Sequence, residues 1–134
     1  MQNAVRLFLA LEAASFVLAA LVHFGVLTRG YEHRSAATAE SVIGTVLLVA
    51  FALTWALPAR TRVIGIAGQA FALLGTLVGA LTIAIGIGPR TVPDLVFHAA
   101  ILLGLAWGLL VAARAPAAEL GARGATHGAA RPAS

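Results

Sequence analysis

The chain has no cysteine and no lysine, and its one methionine is Met1. The first absence excludes disulfides, thiolate metal ligands and thiol redox chemistry. The single methionine rules out a methionine-rich copper site. Charge is scarce too: 10% of the 134 residues are charged against 60% hydrophobic, and the mean hydropathy is +0.96. A soluble domain of this length needs far more charge to cover its surface. Chemical signatures are missing as well. The sequence contains no glycine-rich phosphate loop, nucleophile elbow, catalytic-triad spacing, H-E-x-x-H or paired-histidine zinc motif. It therefore points to no catalytic residue and no metal site.

What is present is four long apolar runs, about Ala4–Leu27, Ser41–Leu57, Val63–Ile87 and Val92–Ala113. Crossing a hydrocarbon layer of roughly 30 Å takes about twenty apolar residues in a helix. The runs predict an all-α integral membrane four-helix bundle of antiparallel up-down topology, one domain over residues 1–115. The first run follows Arg6 and passes through Ala19-Ala20, as a signal peptide would. It continues to Leu27, past the usual length of such a segment, and is read as a span. Residues 116–134 are rich in Ala and Gly with scattered charge, a composition expected of a disordered tail.

The formal charge of +4 comes from nine arginines and five acids. The arginines flank the spans, so topology accounts for them and nucleic acid is not a partner. Arg6, Arg60, Arg62, Arg114, Arg123 and Arg131 fall on one side; Arg29, Arg34 and Arg90 fall on the other. The positive-inside rule places both termini in the cytoplasm. Lysine-free, alanine-rich usage suggests a GC-rich bacterial genome, and hence a bacterial inner membrane. The longest and most polar connection, Thr28 to Glu40, is expected to cover the outer mouth of the bundle. Gly75-Thr-Leu-Val-Gly79 and Gly104-Leu-Ala-Trp-Gly108 are small-xxx-small patterns, read first as contacts within the monomer and second as a dimer face.

Ionisable groups inside a bilayer are expensive, so each asks for a reason. Glu12, Ser15, Ala19 and His23 form one polar or small stripe on the first span, expected to face the interior. Eleven residues separate Glu12 from His23, which returns the direction to within about 20° at roughly 16 Å difference in depth. Asp94 and His98 share a face of the fourth span at i,i+4 spacing, where a carboxylate could orient an imidazole. Antiparallel spans bring His23 and His98 to similar depth on the outer side. Glu32, His33, Arg34, Glu40 and Arg90 lie on that side too. The ligand-binding set read from this clustering is His23, His98, Asp94 and Glu40, with Arg90 for an anionic headgroup. Glu12 and Gln69 make a second, buried polar site. Each residue also has a plainer role: the arginines as headgroup anchors, Glu40 and Asp94 as first-turn acids favoured by the helix dipole, His33 as a solvated loop residue.

An apolar slot with a few polar groups at its mouth suits a quinone or other lipophilic ligand. Two imidazoles at one depth would also suit a bis-histidine haem. A non-catalytic subunit of a larger membrane complex and a small oligomeric transporter are the other readings. The segment Ala39-Glu40-Ser41-Val42-Ile43-Gly44-Thr45-Val46-Leu47-Leu48, the turn Arg60-Thr61-Arg62 and the Ala/Leu/Gly-rich third span resemble the DoxX-like family of small bacterial membrane proteins. The resemblance covers about residues 5–113; Gly88–Asp94 falls outside its pattern. It implies a four-helix bundle and a link to quinone-connected redox chemistry. Of the site residues, only Glu40 carries over, as the acid opening the second span.

Overall fold

The computed structural model describes residues 1–116. Within them the chain forms α1 (Gln2–His23), α2 (Arg34–Ala56), α3 (Thr61–Ala84) and α4 (Val92–Arg114), with a single 3-10 turn at Pro58–Arg60. Each of the four helices is long and apolar enough to cross a membrane. They run up and down, each against its neighbour in sequence, and α4 returns to α1 to close the bundle. The tail that the composition marks as disordered lies outside the described residues.

Local chemistry decides where the helices stop. The first span ends at His23 and not at Leu27. Gly25 takes a left-handed φ of +73°, and the Gly25 and Val26 N–H groups turn back to the carbonyls of Val22 and Leu21. This is a Schellman closure, which the apolar run masked. α3 ends in the same way through Gly86, at φ +84°. The second helix begins seven residues before the apolar run, because His33 caps it: its Nδ1 accepts the Ala36 N–H at 3.2 Å. The outer connection is therefore short, Phe24 to His33, and Glu40 lies in the second turn of α2 and not at its start. His33, read as a solvated loop residue, is a half-buried cap.

Inside a bilayer, apolar burial does not drive helices together, because lipid is as apolar as leucine; close packing and hydrogen bonds do. The outward faces bear this out with residues such as Leu103, Val92 and Val63, all more than two-thirds exposed. Inward faces are small or closely fitted: Ala13, Leu47, Ala72, Leu105 and Ala112 are fully enclosed. At the end that carries the termini, Gly65 of α3 lets α1 and α4 approach. A Cβ there would lie 2.6 Å from Val5 Cγ1 and 3.2 Å from Ala112 Cβ. At the same end Arg6 donates to the Thr54 carbonyl at 2.7 Å. Its guanidinium also sits 4.0 Å above the Trp55 ring. A cation there suits the C-terminal dipole of α2 and the π face together.

The small-xxx-small patterns divide by face. Gly75 meets Ile43, Gly79 meets His98, and Gly108 meets Gln69 and Glu12, all within the monomer. Gly104 has open space around it. Replacing Gly65 with alanine should lower stability by about 1–3 kcal/mol through overpacking, whereas Gly104→Ala should stay within about 0.5 kcal/mol of the parent. Thermal unfolding of both variants in one detergent checks the contrast; equal effects would contradict this packing.

Candidate functional site

The end of the bundle opposite the termini holds a buried imidazole between two carboxylates. His23, the last residue of α1, places Nδ1 2.8 Å from Glu40 Oε2 and Nε2 3.0 Å from Asp94 Oδ1. All three side chains are buried, with 4%, 6% and 6% of each residue exposed. They come from α1, α2 and α4. The Schellman turn after His23 lets the chain fold back so that the His33 N–H bonds the His23 carbonyl at 2.9 Å. This brings α2 in beside α1 with Glu40 at the depth of His23.

Asp94 does two jobs with separate oxygens. Oδ2 accepts from the Thr91 N–H at 3.2 Å and from the Thr91 hydroxyl, while Thr91 Oγ1 receives the Asp94 N–H. That reciprocal capping box starts α4 at its Pro-containing first turn. Oδ1 remains free to meet His23. Asp94 is thus a helix-start acid that also bonds His23 across the bundle.

Each of the two contacts to His23 needs one proton between its heavy atoms. Two protons are therefore shared among three groups. An imidazolium between two carboxylates satisfies this, as does a neutral imidazole with one carboxylic acid. In either arrangement the trio carries one net negative charge.

The remaining candidates take other positions. His98 meets Asp94 through the backbone and not the carboxylate: its Nδ1–H donates to the Asp94 carbonyl at 2.9 Å, because that carboxylate is already engaged. Its Nε2 points at Gly79, 3.2 Å from where a Cβ would be. Arg90 is exposed and takes no part in the trio. Glu32 is used in the loop, where it accepts the Gly30 N–H at 2.8 Å. On the α1 stripe, Glu12 and His23 are buried, Ala19 is half-buried, and Ser15 turns back to the Leu11 carbonyl.

A groove of about 290 Å³ opens beside the trio between α1 and α4. Ala19 and Val22 form one wall, Pro93, Asp94 and Phe97 the other, and Thr28 and Tyr31 of the loop close the top. Phe97 is braced edge-on by Phe16, with ring centroids 5.9 Å apart. Asp94 is the residue common to groove and trio. Phe97 and Thr91 escape the sequence reading; Thr91-x-x-Asp94 before an apolar run is the available signal.

Bis-histidine haem does not fit this arrangement. Both ring nitrogens of His23 are bound to carboxylates, leaving no lone pair for iron, and His98 Nε2 faces α3. Among the described residues no group of three or more His, Asp or Glu side chains is disposed to hold a metal ion.

Removing Glu40 leaves the buried Nδ1 of His23 without a hydrogen-bond partner. Glu40→Ala should therefore lower stability by about 1–3 kcal/mol, read as a fall in the thermal unfolding midpoint in lipid nanodiscs. An unchanged midpoint would show that the bridge does not tie the spans. No family model, curated protein or solved structure matches this chain.

Proposed function

We propose that this protein binds a lipophilic, quinone-like ligand in the α1–α4 groove, at the outer leaflet of a bacterial inner membrane. The observation that carries the reading is that Asp94 forms part of the groove wall while bonding His23. A ring carbonyl or hydroxyl lodged there would meet a carboxylate backed by an imidazole and a second carboxylate. The ligand could then gain or lose a proton without that proton crossing open lipid. The groove volume lies at the low end for small-molecule sites, so it suits a ring whose tail continues into the bilayer. Arg90, exposed at the same end, is placed to meet an anionic headgroup. The DoxX-like resemblance, through Glu40, leads toward the same chemistry. If the protein is an enzyme, it is a component of a membrane oxidoreductase.

A second reading has one specific observation in its favour. Gly104 faces outward with no neighbour within 4 Å, between the exposed Leu103 and Trp107. Small residues on a lipid-facing ridge let another helix approach closely, which suits an oligomer or a subunit of a larger complex. A stoichiometric copurifying partner, lost on Gly104→Leu, would favour this role.

Ligand binding is tested with a photoreactive short-chain ubiquinone analogue and the protein in nanodiscs. Ala19→Phe, which fills the groove and leaves the trio intact, should weaken binding at least about tenfold, or ~1.4 kcal/mol. Asp94→Asn should weaken it as well. Unchanged affinity in both variants would sink the assignment.

A further inference from the structure

A second polar site lies deeper, toward the end that carries the termini. Glu12 of α1 and Gln69 of α3 are 4% and 0% exposed. Both carboxyl oxygens of Glu12 and both amide atoms of Gln69 are enclosed without a hydrogen-bond partner. Gly108 of α4 completes the site. A Cβ there would lie 2.5 Å from Gln69 Nε2 and 2.8 Å from Glu12 Oε1. The two side chains thus converge on one point, and only glycine leaves room for them. No charged side chain of α2, α3 or α4 bears on Glu12, and its polar neighbour is Gln69.

Four enclosed polar atoms without partners are not a stable arrangement in a membrane interior. Donor and acceptor counts say what is missing. A carboxylate only accepts, so it can take the Gln69 N–H but leaves Gln69 Oε1 without a donor. A carboxylic acid supplies that donor. Glu12 O–H would donate to Gln69 Oε1 while Gln69 Nε2–H donates to the Glu12 carbonyl oxygen. One added proton gives each of the four atoms a partner.

We propose that Glu12, Gln69 and Gly108 form a proton-binding site inside the membrane, the proton joining α1 to α3 beside the bare backbone of α4. The site is separate from the outer groove. Eleven residues of α1, roughly 16 Å, divide Glu12 from His23, and the buried side chains between them, Ala13, Phe16 and Ala20, are apolar. The proton on Glu12 is therefore not one of the two that the outer trio shares. The inference does not depend on the quinone-like ligand.

The test treats the full-length protein, in vesicles of phosphatidylethanolamine and phosphatidylglycerol, with dicyclohexylcarbodiimide at neutral pH. A protonated acid in apolar surroundings passes its proton to a carbodiimide nitrogen while its carboxylate oxygen adds to the central carbon. Peptide mass spectrometry then locates the adduct. The expected result is an adduct on Glu12, absent in Glu12→Gln, formed at a several-fold different rate in Gln69→Leu, and unaffected by sodium ions. Protection by sodium would replace the proton with an alkali cation and overturn the proposal. So would an unmodified Glu12 in the parent protein, a result that needs no variant to fold.

Discussion

The arrangement depends on one imidazole. His23 ends α1 and bonds a carboxylate on each side, one from α2 and one from α4. In a bilayer the apolar surfaces of these helices have no preference for one another over lipid, so the polar contacts and the close glycine approaches set which faces meet. A buried imidazole with two carboxylates specifies depth, rotation and partner for three of the four spans at once. Turning α2 by one residue would take Glu40 out of reach and leave His23 with an unsatisfied nitrogen.

Asp94 belongs both to the helix start and to the trio. It starts α4 with one oxygen and holds His23 with the other, so the capping geometry positions the oxygen that meets His23. Capping boxes occur at many helix starts and carry no functional meaning alone. Here the box fixes the side-chain rotamer of a residue that also walls a groove, and under the proposed function a group so held needs little reorganisation to bind. The price is local: the helix cannot lose its cap without losing the site.

Much of this was legible in the residues. Four apolar runs of spanning length, separated by short connections, leave no other architecture, and the antiparallel order put His23, Glu40, Asp94 and His98 at one end. Which of them touch was not legible. Hydropathy could not reveal the helix ends, because Phe24–Leu27 is as apolar as a span and only Gly25 breaks it. His33 looked like a loop residue because histidine is an uncommon cap, and that concealed the extra turns of α2 that carry Glu40 inward. The i,i+4 spacing of Asp94 and His98 was genuine, but the carboxylate had a better partner across the bundle. Glu12 and Gln69 are both legible in the sequence as buried polar residues. Their convergence on Gly108 depends on the rotation of α3 and α4, and the nearly uniform apolar surface of α4 does not encode its own.

His23 is doubly bonded and adjoins, through Asp94, the groove proposed to take a ligand. Solid-state nitrogen-15 NMR of the histidine-labelled protein in bilayers tests it most directly, with the His23 signals assigned by their loss in His23→Gln. Both ring nitrogens of His23 are expected to be hydrogen-bonded, and the Nε2 resonance is expected to move when the ubiquinone analogue is added. A His23 nitrogen carrying a free lone pair, or an Nε2 resonance indifferent to the analogue at saturating occupancy, would contradict it.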